Sequence, residues 1–131
     1  MIKKINIEEI KKREEFLYGK LLTRKEVEYA LEEAKASVKR NMEYLNGKFP
    51  FSAAYNSEPF PSERDGMYPI NRNVEWTTGF WTGLIWLMYD WSREECFKER
   101  GMADVRSFKE RVEKRIDLNH HDLGFLYSPS C

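Results

Sequence analysis

The strongest periodicity in the chain runs from Val27 to Leu45. Val27, Leu31, Ala34, Val38, Met42 and Leu45 recur at steps of three or four residues, which marks one helical stripe of about five turns. Thr23 and Glu26 precede it as a T-x-x-E capping box, and Gly47 with Pro50 closes it. Lys25, Glu32, Glu33, Lys39, Arg40 and Glu43 fill the opposite, wet face. A sparser helix is expected over 7–19, ending at Gly19. From 48 to 75 no period survives; Pro50, Pro59, Pro61 and Pro69 accompany Gly66 and several Ser and Asn. A stretch of this length without regular structure is often functional in a compact protein, and a linker is the alternative.

A second pattern follows. GFWTGLIWLMYDW, with Thr77 or Thr78 as its cap, is apolar nearly all round, so a helix over roughly 78–91 is expected to be buried on most sides. Gly79, Thr82 and Gly83 would let another backbone approach closely. Ser92 and Glu95 form a second capping box, opening a helix over about 93–115. Phe97, Val105, Phe108, Val112 and Ile116 mark its expected buried stripe, and Gly101 interrupts it at about 1 kcal/mol. The order of wet-faced, buried and wet-faced helices suits an all-α architecture of concentric layers. An almost wholly apolar helix needs cover on more than one side, which three to four helices supply poorly. The expectation is that the chain is the N-terminal portion of a larger protein and that further helices of the same domain follow it.

Composition narrows the function. With 41% hydrophobic and 34% charged residues among 131, the chain is suited to a folded domain and not to a disordered tail. Lys plus Arg equals Asp plus Glu at 22 each, so the basic footprint of a nucleic-acid binder is absent. No run is long enough to span a membrane, and the N-terminal MIKKINIEEIKKREE lacks the apolar core of a signal peptide. Cys96 and Cys131 show neither metal spacing nor a disulfide framework, and a reducing cytoplasm suits them. Aromatics reach 15% and crowd into 76–91 as Trp76, Phe80, Trp81, Trp86, Tyr89 and Trp91. Such rings fill cores, and they also line sugar-binding clefts.

Candidate chemistry sits in HHDLGFLYSPS, 120–130. Asp122 stands beside two imidazoles and a greasy turn. Leu123, Phe125 and Tyr127 would desolvate a carboxyl and push its pKa up, while His120 or His121 would orient it or lower the pKa again. Gly124 would let the backbone approach a ligand. Taken alone, an Asp before an apolar segment is more often a helix cap. A His-His-Asp metal site is disfavoured because consecutive side chains point in different directions.

Two segments, NVEWTTGFWTGLIWLMYDWS and HHDLGFLYSPSC, resemble the unsaturated glucuronyl hydrolases, glycoside hydrolase family 88. SFKERVEKR and LLTRKEVEYALEEA fit the same family more loosely. The resemblance implies the N-terminal part of an (α/α)6 barrel. It also implies an enzyme that releases unsaturated uronic acid from lyase-generated oligosaccharides by hydrating the enol ether double bond. Asp122 would be one catalytic carboxylate and a substrate contact; Trp76, Phe80 and His121 would bind the sugar; Trp81, Trp86 and Trp91 would pack the barrel. No cofactor is implied. The second carboxylate, the proton donor, matches no residue here, so the chain alone is expected to be inactive. Thr78 departs from members that carry an acidic residue there. An unsaturated rhamnogalacturonyl hydrolase, or a non-catalytic helical binding module, remains as an alternative.

Overall fold

The computed structural model describes residues 22–55 and 66–131. Among them the elements are helix α1 (Arg24–Leu45), strands β1 (Phe49–Pro50) and β2 (Ile70–Asn71), and helices α2 (Thr78–Ser92), α3 (Glu95–Glu113) and α4 (Leu123–Tyr127). The expected helix over 7–19 lies outside the described residues. Two compact units divide the chain, Met1–Glu32 and Glu33–Cys131.

In the first unit the capping box forms as expected. The Thr23 amide donates to Glu26 Oε2 at 2.7 Å, and the Glu26 amide donates to Thr23 Oγ1 at 3.3 Å. These bonds stabilise the ionised Glu26 carboxylate and lower its pKa. Val27, expected in the buried stripe, is exposed.

In the second unit the α1 stripe buries Val38 and Leu45, and Met42 packs against the core. Ala34 is exposed, contrary to the stripe. Asn46 and Gly47 take positive φ and end the helix. The segment expected to lack regular structure is instead paired at its base. Phe49 and Pro50 ladder antiparallel with Asn71 and Ile70, and the Phe51 and Tyr55 amides donate to Pro69 O and Met67 O, both at 2.8 Å. A two-residue ladder is too short to leave a period in the sequence. It is enough to drive Phe49 into the core, edge-on to Phe108 at 5.8 Å between centroids.

Helix α2 buries Trp81, Ile85 and Met88 with Thr78, Gly79 and Thr82. Its other face is open: Phe80, Leu84 and Leu87 are 44%, 45% and 60% exposed. The helix is therefore one-sided here, not buried on most sides, and Trp91, expected as packing, is also exposed. Arg93, at φ 56°, turns the chain into α3 with its amide on Tyr89 O. The second capping box does not form. Ser92 is the last residue of α2 and sends its hydroxyl back to Met88 O at 2.7 Å, and Glu94 is the N-cap of α3 without a side-chain cap bond.

Helix α3 buries Phe97, Arg100, Gly101, Asp104, Phe108 and Arg111. Val112 and Ile116, expected in its stripe, are exposed. The buried face is set by the two phenylalanines, and three charged residues share their register. Arg100 pairs with Asp104 (2.9 Å), donates to Lys48 O (2.6 Å) and lies over the Phe49 and Trp81 rings. Thr82 Oγ1 donates to Asp104 Oδ2 at 3.0 Å. Burial pushes the Asp104 carboxyl pKa up, against the pull of Arg100 and Thr82. Gly101 is less an interruption than a seat: the Trp86 indole lies where its Cβ would be.

Candidate functional site

The site is built around one buried cation. Arg111, 1% exposed, projects from the end of α3 between two loops. Toward the loop before α2 it donates to Asn73 Oδ1 (3.2 Å) and Glu75 O (3.0 Å). Toward the loop before α4 it donates to Ile116 O (3.2 Å) and Asp117 Oδ2 (3.1 Å). The planar guanidinium has five donors in a fixed fork, and that geometry can tie several acceptors at once. Asn73 in turn donates to Ser107 Oγ at 3.2 Å. Thr78 Oγ1 reaches Glu75 O at 2.7 Å, with Asn73 Oδ1 at 2.9 Å. Thr78, buried in this network, fixes the start of α2.

The first loop delivers Trp76 and Phe80, and the second delivers Asp122. Trp76 and Phe80 meet edge to face at 6.0 Å between centroids. Phe125, one turn beyond Asp122, completes a three-ring cluster at 6.2 Å from Trp76 and 5.9 Å from Phe80. All three rings are more than a third exposed. The structure thus brings the expected pair of aromatics to the helix that Asp122 opens. Phe125, expected only to desolvate the turn, is the link.

Asp122 occupies the N-cap position of α4 but makes no side-chain cap bond. Its Oδ1 lies 3.4 Å from His121 Nε2, and its Oδ2 lies 3.8 Å from His120 Nδ1. Its backbone N–H donates to His120 Nδ1 at 3.2 Å. The His121 side chain is 93% exposed, against 18% for His120. His120, which the sequence did not favour over its neighbour, is the one built into the fold.

Beside Phe80 a cavity of about 450 Å³ opens, lined by Tyr44, Tyr68, Thr77, Trp81 and Leu84 among others. Tyr44 donates to Tyr68 O at 3.1 Å across its wall. Thr77 Oγ1 and Trp81 Nε1 are buried there with no hydrogen-bond partner among the described residues. No group of three His, Cys, Asp or Glu among the described residues is placed to hold a metal ion. No helix among them is long and apolar enough to cross a membrane.

No protein-family model matches the chain. Comparison with known proteins finds an unsaturated chondroitin disaccharide hydrolase of Streptococcus pneumoniae, 46% identical over 131 residues, which are 100% of this chain and 31% of that protein. Among solved structures, the unsaturated glucuronyl hydrolase of Streptococcus agalactiae matches with a TM-score of 0.83 at 40% identity, covering 100% of this chain and 31% of that one. A mutant of that enzyme, crystallised with dGlcA-GalNAc6S, matches with the same score. The chain therefore spans about a third of the length of these relatives. Their (α/α)6 barrel agrees with the all-α, layered architecture expected from the alternation of helix faces.

Proposed function

We propose that this chain, homologous to the N-terminal part of the unsaturated glucuronyl hydrolases, supplies one wall of a site that removes unsaturated uronic acid from the non-reducing end of an oligosaccharide. Its sugars carry a C4=C5 double bond conjugated to a carboxylate and joined to the ring oxygen, which makes an enol ether. Protonation at C4 and addition of water at C5 give a hemiketal. That hemiketal opens and releases the rest of the oligosaccharide. The route differs from the two-carboxylate attack on an anomeric carbon. It calls for a general acid and for a group that guides the water.

Asp122 is the chain's contribution to that chemistry, as the carboxylate that assists water addition. Trp76 and Phe80 form the apolar floor for the sugar ring, and His121 is the solvent-side contact. The observation that carries this reading is the placement of Asp122. It heads α4 without capping it, while Phe125 one turn later joins Trp76 and Phe80. Further helices of the barrel would supply the proton donor, the groups that hold the uronate carboxylate, and the cover for Leu84 and Leu87. No cofactor is needed for water addition. A reducing cytoplasm suits the free thiols of Cys96 and Cys131.

The test is turnover of an unsaturated chondroitin disaccharide, followed by loss of the ultraviolet absorbance of the conjugated double bond. A full-length enzyme carrying this chain is expected to consume it, and Asp122→Asn to abolish the signal. The 131-residue chain alone is expected to give none. Full activity of the Asn variant would refute the role of Asp122.

A further inference from the structure

We propose that His120 is a positioning residue for Asp122, acting as a neutral imidazole with its proton on Nε2, and that Arg111 and Asp117 hold it in that form. The inference rests on the reading of Asp122 as a reacting carboxylate.

The first step concerns the Asp122 amide. A helix start leaves backbone N–H groups without intrahelical acceptors, and an Asp side chain at the N-cap ordinarily accepts from the first turn. Here the carboxylate makes no cap bond, and the Asp122 amide donates instead to His120 Nδ1 at 3.2 Å. The imidazole accepts locally, so the carboxylate is not drawn into the backbone. An Nδ1 that accepts must carry a lone pair, which places the proton of the neutral ring on Nε2.

The second step concerns the other side of the ring. Nε2 is buried and makes no hydrogen bond of good geometry, but Asp117 Oδ2 is within reach of it at 3.5 Å. Asp117 does not choose its own place. The buried Arg111 guanidinium donates to the same Oδ2 at 3.1 Å and to Asp117 O at 3.4 Å. Arg111 is fixed at its far side by Asn73 and Glu75, in the loop that leads to Trp76. A carboxylate facing one imidazole nitrogen selects the tautomer and sets the ring plane. The order Arg111, Asp117, His120, Asp122 thus connects the aromatic floor to the carboxylate through one chain of polar contacts. Were Nδ1 protonated, it would lose the Asp122 amide and turn its proton toward Asp122 Oδ2, 3.8 Å away. The carboxylate would then be engaged in an ion pair and withdrawn from the sugar.

The chain holds only two histidines, His120 and His121, so isotope-labelled histidine reads both rings directly. Nitrogen correlation spectra near neutral pH are expected to show His120 as the Nε2–H tautomer with a bare Nδ1. The exposed His121, whose Nε2 lies 3.4 Å from Asp122 Oδ1, gives the second set of signals, and His121→Gln removes it for assignment. An Nδ1–H tautomer or a cation at His120 would overturn the proposal. Kinetics supply the second arm, in the full-length enzyme. His120→Phe is expected to lower kcat about a hundredfold with little change in KM, since small misplacements of a reacting group have effects of that order. His120→Asn, whose side-chain oxygen can take the place of Nδ1, is expected to restore most of it. Equal losses in both variants, or a loss confined to KM, would count against a positioning role. A wild-type enzyme inert toward unsaturated uronates would sink the functional reading instead. The tautomer measurement would then decide the hydrogen-bond assignment by itself.

Discussion

Gly79 and Leu126 bring the backbones of α2 and α4 into direct contact: a Cβ built on Gly79 would stand 2.1 Å from Leu126 O and 2.7 Å from Phe125 O. No flexible side chain is there to yield, because the opposing atoms are main chain. Gly79→Ala is therefore expected to push α4 away, at about 1–3 kcal/mol of overpacking or more. Urea denaturation of the two proteins measures the loss. Since α4 carries Phe125 and begins at Asp122, activity of the full-length enzyme should fall further than stability does. An unchanged midpoint would show that α4 docks elsewhere.

Arg111 offers a sharper contrast. Replacing it by Met keeps the volume but strands Ile116 O and takes one donor each from Asp117 Oδ2, Asn73 Oδ1 and Glu75 O, the last two of which keep Thr78 Oγ1. Loss of one member of a buried charged set costs about 3–5 kcal/mol. The exposure of Asp117, whose side chain is 50% accessible, puts the expectation at the lower end of that range. Arg111→Lys should recover little, because an ammonium cannot span both loops. Denaturation midpoints separate the two. Near-complete rescue by Lys would mean that charge alone, not the fork, is what the loops need.

At Gly101 two effects compete. Alanine would gain about 1 kcal/mol of helix propensity in the middle of α3. Its Cβ would also lie 2.6–2.8 Å from the Trp86 ring, whose Nε1 donates to Ser130 O at 3.1 Å. The ring cannot retreat without breaking that bond, so overpacking wins and Gly101→Ala is expected to be destabilising. Tryptophan fluorescence and the denaturation midpoint should move together.

The parts of the fold written as periodicity were legible beforehand. The α1 cap, the close approach at Gly79 and the shared face of Trp76 and Phe80 follow from spacing, whereas the association of those rings with Asp122 is what the resemblance of HHDLGFLYSPS implies. What escaped was of two kinds. Ladder pairing of Phe49 and Pro50 with Asn71 and Ile70 joins residues far apart in sequence, and no local pattern reports it. The apolar residues of α3 alone do not give its buried face, because Arg100, Asp104 and Arg111 share that face with Phe97 and Phe108. Register, not charge, was the signal that could have found Arg111. Likewise Phe125 lies three residues past Asp122, a helical spacing that aims it toward the same region.

A pH dependence is expected from Glu94. It receives a hydrogen bond from Lys39 and, at 3.2 Å, an ion pair from Lys35, which tie the second half of α1 to the start of α3. The Lys39 bond first, and that of Lys35 next, hold the Glu94 carboxyl below its ordinary 4.5. A depressed acid contributes stability that is complete above the unfolded value and is lost as pH falls through the folded one. Glu94→Gln should therefore lower the melting temperature at neutral pH and flatten its decline below pH 4.5. With these side chains partly exposed the effect is small and weakens with salt. Parallel acid limbs in the two proteins would remove Glu94 from the account.

The three rings can be tested as a platform and not merely as packing. Trp76, Phe80 and Phe125 are 39%, 44% and 55% exposed, so truncating one forfeits only part of the burial free energy of a core aromatic. The ring–ring contacts add about 0.5–1.5 kcal/mol per pair, and Trp76 makes two. Trp76→Ala is thus expected to destabilise by about 1–3 kcal/mol, while lowering kcat/KM of the full-length enzyme on an unsaturated disaccharide by tenfold or more, the equivalent of about 1.4 kcal/mol. Trp76→Phe keeps a ring in the cluster and should restore most of the stability. It offers the sugar a smaller face, so activity should recover less. Restoration of both in equal measure would mean that the ring serves the docking of α4 alone, and the sugar floor would then fall to Phe80.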